Sequence, residues 1–312
     1  MRNRKIILDT DPGIDDAIAI AVLLNACAEN VKLILTSYGN TSVENTTRNA
    51  TALVALLGAV IPVARGAERP APGGNGTYED AAYVHGSDGL GGMQRGLLES
   101  LNIKKAASGD YLKLLHDAIA SEESVDYITL GPLTNLSGFI YRYPEAARKI
   151  NLAVVMGGGI EKGNVTADAE FNIFCDAESA NHVFSTMPDI MLVPLDATTK
   201  VAFGMPGIDK ISSAGTKVAG VMASILRTNY DLCAAYGDAG AVMHDSTAVL
   251  AYLYPELFGF RTGAIKVATE KERYGKCLYD ANGGNVKIAD SFDPNRLLDI
   301  IAESIIKYRG TG

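Results

Sequence analysis

Four aspartates lie within eight positions near the start of the chain, in the segment ILDTDPGIDDA (residues 7–17). They are Asp9, Asp11, Asp15 and Asp16. Carboxylates this close repel one another and resist burial unless a cation neutralises them. Hard oxygen ligands in excess of nearby basic residues suit Ca²⁺ or Mg²⁺. The alternative, in which Asp15 and Asp16 cap a helix and favour its dipole, leaves Asp11 unexplained.

A histidine next to an acid forms a second candidate, His244-Asp245 in the segment VMHDSTA. His244 is a candidate general acid, because an imidazole titrates near neutral pH. An HD dipeptide alone is a weak signal, and a structural histidine is then the favoured interpretation. His85 lies in the glycine-rich segment HGSDGLGG, where packing gives it no obvious role.

Amides and a carboxylate occur together in a third segment, GNVTADAEFNIF, which starts at Gly163. Asn164, Glu170 and Asn172 suit a hydroxyl-rich ligand, because each hydroxyl needs both a donor and an acceptor. An ordinary turn-rich loop is an equally good interpretation of this segment by itself.

Strand-like and helix-like segments alternate along the chain and must position these side chains. Apolar runs predict strands, and longer apolar periods predict helices. The predicted strands are 5–8, 31–37, 61–65, 125–130, 151–156 and 190–195, with two weak ones near 263–268 and 285–289. The predicted helices are 15–29, 43–57, 108–121, one after Pro132, 176–186, 217–235, 244–254 and 294–308.

This alternation predicts an α/β fold, with a single-domain, open, mostly parallel (Rossmann-like) sheet that carries helices on both faces. We expect one domain over residues 1–312. Ligands in such sheets bind beyond the carboxyl ends of the strands, which is where Asp11 falls. The Gly- and Pro-rich stretch 66–96 has no period, and a loop of this length is usually functional or disordered.

The composition indicates a globular protein with an acidic surface. Of 312 residues, 47% are hydrophobic, and the net charge of −8 disfavours nucleic acid and anionic membranes as partners. The four cysteines form no C-x-x-C pair, which favours reduced thiols. The apolar run after the basic start is too short for a signal peptide. We therefore expect a soluble, cytoplasmic protein.

Taken in order, these motifs resemble one family, the calcium-dependent, inosine–uridine-preferring nucleoside hydrolases. The resemblance lies in DTDPGIDDA, YGN ending at Asn40, HGSDGLGG, LGPLTNL from Leu130, MGGG from Met156, GNVTADAEFNIF, and HD at residues 244–245. It implies the nucleoside hydrolase type of fold. It also implies hydrolysis of the N-glycosidic bond of ribonucleosides to free base and ribose.

The resemblance implies a Ca²⁺ site and a general base. The implied ligands are the carboxylates of Asp11, Asp16 and Asp245 and the backbone carbonyl of Leu130. Asp11 takes a proton from the attacking water, and Asn40 orients that water. Asp15 contacts a ribose hydroxyl.

The remaining implied roles concern the nucleoside. Asn164 and Glu170 hold the 5′-hydroxyl, Asn172 holds the ribose diol, and Met156 and Phe171 wall the sugar. His244 protonates the leaving base, and His85 lies near that base. Independently of the resemblance, a Gly-rich loop as long as 66–96 could close over the base and exclude solvent. The family also suggests a homodimer or homotetramer.

Two other functions are compatible with parts of the sequence. A non-catalytic nucleoside or ribose binding protein would need neither a base at Asp11 nor an acid at His244. A phosphatase using Asp9 and Asp11 would need Mg²⁺ and a phosphate-binding loop, which the sequence does not show.

Some features leave the substrate open. Ala167 stands where the family often has proline, and Asp168 adds an acid beside the ribose segment. Tyr230 or Tyr236 could stack on a base. Stacking tolerates purines and pyrimidines alike, so the base preference is not fixed by these residues.

Overall fold

A nine-stranded sheet forms the centre of the molecule. The structure, a computed structural model, describes residues 4–74, 81, 86–92, 96, 101, 103–235, 237 and 240–308. The strand order is β10-β9-β11-β6-β5-β4-β1-β2-β3. The strands are β1 (Lys5–Thr10), β2 (Val31–Thr36), β3 (Val63–Arg65), β4 (Val125–Thr129), β5 (Ile150–Met156), β6 (Ile190–Val193), β9 (Gly259–Val267), β10 (Cys277–Asp280) and β11 (Val286–Ser291), and β7 (Ala202–Phe203) pairs with β8 (Ala241–Val242) separately.

Seven neighbouring strands of this sheet, from β11 to β3, run parallel. The last two, β9 and β10, are antiparallel and form one edge. Because β1 lies between β2 and β4, its carboxyl end is flanked by the carboxyl ends of both. The segments after these strands therefore meet at one edge of the sheet.

Helices cover both faces of the sheet. They are α1 (Ile14–Cys27), α2 (Val43–Leu56), α3 (Tyr111–Ala120), α4 (Thr134–Arg142), α5 (Pro144–Ala147), α6 (Phe171–Cys175), α7 (Ala177–Thr186), α8 (Leu195–Thr198), α9 (Met205–Ser212), α10 (Lys217–Ala235), α11 (His244–Leu253) and α12 (Pro294–Ile306). Within the described residues, no helix combines the length and the apolar character needed to cross a membrane.

Two hydrophobic clusters lie on opposite faces of the sheet. Successive side chains of β1 point to opposite faces, so Leu8 packs in one cluster and Ile7 in the other. The helix α1 is buried on almost every side, and it packs against α11, α10 and α12. A helix that is apolar all round belongs in an interior. This burial places the start of α1, with its two aspartates, at the sheet edge.

The predicted fold class is confirmed: the sheet is mostly parallel and has helices on both faces. The predicted helices over 15–29 and 244–254 end two residues and one residue early, at Cys27 and Leu253. Of the edge hairpin, the sequence predicts only β9. The elements that it does not predict are β10, β7, β8, α5, α6, α8 and α9. Strands of two to four residues and helices of four to eight are too short to show a period.

Candidate active site

Four neighbouring parallel strands deliver candidate residues to one place. Asp11 follows β1, Asn40 follows β2, Leu130 follows β4, and Met156 ends β5. Since these carboxyl ends share one edge of the sheet, residues that are distant in sequence become neighbours.

A buried cluster of carboxylates lies at this edge. Carboxylate oxygens of Asp15, Asp16 and Asp245 all lie within 4.8 Å of one another. These three residues and Asp11 are between 0% and 8% exposed. No ion pair among the described residues includes any of the four. In the part of the chain that the structure describes, no ion pair therefore balances the like charges of the cluster.

Two helix starts bring these acids together. Asp16 is in the first turn of α1, where its carboxylate accepts hydrogen bonds from Gly13 N at 3.0 Å and Thr10 Oγ1 at 2.5 Å. Asp15, beside it, accepts the backbone N–H groups of His244 and Asp245 at the start of α11. Free N–H groups and the positive end of the helix dipole favour a carboxylate there. Asp15 thus joins the first turns of two helices.

Asp11 is held by the backbone of the loop that follows the neighbouring strand β2. Its Oδ2 accepts the N–H of Asn40 at 2.8 Å. The Asn40 amide donates to the Asp11 carbonyl at 3.1 Å and to Asp16 Oδ2 at 2.9 Å. The space around Asp11 depends on two glycines, since a Cβ at Gly39 or Gly131 would lie 2.0 or 2.5 Å from its carboxylate oxygens.

One oxygen of Asp11 has no donor. Among the described residues, none donates a hydrogen bond to Asp11 Oδ1, although this atom is buried. A buried carboxylate oxygen without a hydrogen bond lowers the stability of the fold by on the order of several kcal/mol, unless a ligand binds it. This oxygen belongs to a carboxylate that feels the charges of Asp15 and Asp16, so it could add a further oxygen ligand to a cation held by the cluster.

Burial raises the pKa of all four carboxyl groups. Desolvation by burial raises the pKa of Asp15 and of Asp16 to about 6, and a neighbouring negative charge adds to the shift of Asp16. Desolvation followed by like charges raises the pKa of Asp11 and Asp245 well above the usual range. A group of hard oxygen donors that resists ionisation by itself fits a divalent metal ion.

A cavity of about 400 Å³ opens above this cluster. The sequence-predicted residues that line it are Asp15, Asn40, Leu130, Met156, Asn164, Glu170, Phe171, Asn172, His244 and Asp245. Asp11 and Asp16 are fully buried and lie outside the lining. His85 and Tyr236 lie outside the described residues.

The polar residues of the segment 163–175 are tied to backbone. Glu170 accepts hydrogen bonds from Gly158 N at 2.7 Å and Asn172 N at 2.9 Å, and it caps α6. Asn164 Oδ1 accepts Phe171 N at 2.9 Å. The Asn172 amide donates to the Leu130 carbonyl at 2.7 Å, so this carbonyl points toward the cavity side. Desolvation by burial raises the pKa of Glu170.

One wall of the cavity comes from α10 and was not predicted. Asn229, Leu232 and Cys233 line the cavity, whereas Tyr230 packs against the hydrophobic core. The spacing i, i+3, i+4 places the three lining residues on one helix face, which a helical period could have indicated. The sequence does not show which face turns toward the site.

Asp9 does not join the cluster. Its carboxylate lies on the other face of β1, where it accepts Tyr127 Oη at 2.6 Å and Asn135 Nδ2 at 2.9 Å. Desolvation by burial raises its pKa to about 7. Asp9 and Asp11 therefore do not form the adjacent pair that a phosphatase would need.

Comparison with known proteins places this geometry in a family. The profile described as "Inosine-uridine preferring nucleoside hydrolase" matches residues 6–299. The chain is 34% identical over 304 residues to the non-specific ribonucleoside hydrolase RihC of Salmonella agona (strain SL483), with 96% of each chain covered. It is 37% identical over 279 residues to RihC of Salmonella paratyphi A, covering 89% of this chain and 88% of the relative.

Solved structures share the whole fold. The plant nucleoside hydrolase PpNRh1 superposes with a TM-score of 0.89 at 27% identity, covering 98% of this chain and all of the other. The purine-preferring ribonucleoside hydrolase from Gardnerella vaginalis superposes with a TM-score of 0.88 at 24% identity, covering 98% and 99%, and shows the fold alone. The chain is therefore a member of the inosine-uridine preferring nucleoside hydrolase family, and it is a hydrolase of ribonucleosides.

Proposed function

We propose that the protein hydrolyses the N-glycosidic bond of ribonucleosides with Asp11 as general base, His244 as general acid and a resident Ca²⁺. The observation that carries this proposal is the buried Asp11 Oδ1, which has no donor among the described residues and lies beside the carboxylate cluster. The proposed ligands are the carboxylates of Asp11, Asp16 and Asp245 and the carbonyl of Leu130.

The donor set supports Ca²⁺ over a softer metal. Carboxylates and a backbone carbonyl are hard ligands, and Ca²⁺ accepts the irregular geometry of ligands from three separate segments. When bound, such an ion would neutralise the carboxylates, would offer a binding site to the hydroxyls of the ribose, and would lower the pKa of a water molecule.

The side chains divide the remaining work around the sugar. Asp11 accepts the proton of the attacking water, and the Asn40 amide keeps Asp11 and Asp16 in place. At the ribose diol, Asp15 accepts a hydrogen bond from a hydroxyl, and the Asn172 amide donates one. Asn164 and Glu170 hold the 5′-hydroxyl, and Met156 and Phe171 cover the ring.

The negative charge of the site favours cleavage of the N-glycosidic bond. As the N-glycosidic bond breaks, its electron pair goes to the base, and positive charge develops on the ribose ring. The buried carboxylates favour that charge, because electrostatic interactions are strong in a site of low dielectric constant. His244 donates a proton to the base, and water oxygen becomes the 1′-hydroxyl of free ribose.

The substrate range that we propose is broad. Curated relatives carry the description "non-specific ribonucleoside hydrolase". The part of the cavity wall formed by Leu232 and Val242 is apolar, which suits the faces of a base without distinguishing its edges. His85, by its place in the family motif, is proposed to lie near the base.

The cellular context is a proposal from composition. Four cysteines that are all free thiols suit a reducing compartment such as the cytoplasm. A homodimer or homotetramer and a single domain over residues 1–312 complete the proposal. Much of the loop 66–96 lies outside the described residues.

The test measures ribose release from inosine, uridine, cytidine and adenosine, with and without a calcium chelator. We expect release that the chelator stops and that Ca²⁺ restores. Asp11→Asn keeps the shape of the side chain but removes the base, so we expect kcat to fall by roughly 100-fold to 10,000-fold. Nucleoside binding without ribose release by the wild type would contradict the hydrolase and favour a binding protein.

A further inference from the structure

His244 has a buried partner that lies outside every motif of the sequence. Thr198 Oγ1 lies 2.7 Å from His244 Nδ1. Thr198 ends α8 and is fully buried, whereas its neighbour Thr199 lines the cavity. The hydroxyl therefore reaches the imidazole from the protein interior, on the side away from the substrate.

We propose that Thr198 is a positioning residue, which turns the imidazole of His244 so that Nε2 faces the leaving base. This inference rests on the proposed role of His244 as the general acid. Because Nδ1 contacts a buried hydroxyl, a proton delivered into the cavity has to leave from Nε2.

The backbone around this pair is fixed by a short chain of hydrogen bonds. Val201 N donates to Thr198 O at 3.1 Å, and Met243 N donates to Val201 O at 2.8 Å. Met243 directly precedes His244. Val201 therefore links the backbone of Thr198 to the backbone next to His244 through two hydrogen bonds. A rigid frame of this kind holds a catalytic group in a single orientation.

A hydroxyl is well suited to this position because it can donate or accept by rotating about its Cβ–Oγ bond. When the N-glycosidic bond breaks, its electron pair goes to the base, which takes the proton of Nε2. Nδ1 keeps its own proton and donates it to Thr198 Oγ1. A carboxylate or an amide would not serve both directions through a single atom.

The test compares two leaving groups in variants of Thr198. Inosine needs its base protonated, whereas p-nitrophenyl β-D-ribofuranoside releases a stabilised phenolate that needs no proton. Thr198→Val keeps the shape and removes the hydroxyl. We expect kcat for inosine to fall about tenfold or more, as part of the roughly 100-fold to 10,000-fold effect of a general acid, and kcat for the phenyl riboside to change less than about threefold. Thr198→Ser should restore turnover of inosine.

Matched variants separate positioning from general damage. Thr51→Val removes another buried hydroxyl, which bonds its own helix at Arg48 O, and should leave the ratio of the two rates unchanged. Thermal melts check folding, and Thr198→Ala replaces the valine variant if that variant does not fold.

His244→Ala distinguishes the two levels of the inference. If it slows both substrates equally, the proposed acid role of His244 is wrong. Suppose instead that His244→Ala slows inosine selectively. The positioning role of Thr198 is then overturned if Thr198→Val leaves the ratio of the two rates as in the wild type, whether or not both rates fall.

Discussion

Replacing Asp16 by asparagine should stabilise the metal-free protein while abolishing its response to calcium. Burial raises the pKa of Asp16 from 3.8 to about 6. The folded state thus holds this proton more tightly than the unfolded state, so stability falls as pH rises from about 4 to about 6. Above that range the charged Asp16 lowers the free energy of unfolding by its full amount, which is on the order of 3 kcal/mol for a pKa raised by about two.

The asparagine variant avoids this penalty, but it loses part of the gain in stability through its altered hydrogen bonds. Asp16 accepts hydrogen bonds from Thr10, Gly13 and Asn40. An amide can accept the two that share Oδ2 and must present its NH₂ to Thr10, at a cost of about 1 kcal/mol for the altered bond. The net gain in the free energy of unfolding at pH 8 is therefore about 2 kcal/mol, which is a few degrees in Tm.

Thermal melts in chelator and in excess Ca²⁺ measure this effect. In chelator at pH 8, Asp16→Asn should melt above the wild type, and the difference should shrink toward pH 4. In Ca²⁺ the wild type should rise by about 3 kcal/mol at a hundredfold excess over Kd, and the variant should not. Asp126→Asn is the control. This buried carboxylate lies apart from the cluster, accepts hydrogen bonds from Asn151 and Tyr252 and pairs with Arg4 at 3.8 Å, so its replacement should gain nothing. A variant less stable than the wild type in chelator at every pH would refute the reasoning.

Two further predictions concern the surroundings of the site. Gly131→Ala places a Cβ 2.5 Å from Asp11 Oδ1, so the carboxylate must move and kcat should fall about 100-fold in a steady-state assay. Gly220→Ala, on α10 with open space around it, is the control and should raise stability by about 0.5–1 kcal/mol in a melt without changing kcat. Lys276→Met breaks the 2.7 Å ion pair with Asp168 beside the 5′-hydroxyl segment. Because an exposed pair contributes about 1 kcal/mol at most, KM for inosine should rise up to about fivefold, and an equal rise for 5′-deoxyinosine would contradict this placement.

The sheet and the acid cluster follow from local sequence, because each rests on a short-range pattern. Apolar runs such as residues 5–8 predict strands buried on both faces, and their alternation with helices predicts parallel pairing. Asp11, Asp15 and Asp16 are close in the chain and are therefore close in space. Only Asp245 needed the family motif to be joined to them.

The remaining contacts depend on packing that no short segment contains. The rotation of α10 about its axis decides that Asn229 faces the cavity and Tyr230 the core. The meeting of Thr198 with His244 depends on where α8 lies beside α11. The sequence also does not indicate the Lys276–Asp168 ion pair. Asp168 differs visibly from the family pattern, but Lys276 lies 108 residues away in the chain, beside the edge hairpin.

The link between the first turns of α1 and α11 has a consequence for folding kinetics. Asp15 reaches the N–H groups of His244 and Asp245 from the opposite end of the sequence. Tyr308 likewise bonds the Leu57 carbonyl across 251 residues. Contacts of such high sequence separation form late, after the loop entropy between them has been overcome. The ribosome must therefore synthesise the chain past Asp245 before the carboxylate cluster can assemble, and an amino-terminal fragment that lacks α11 should neither bind metal nor turn over nucleosides.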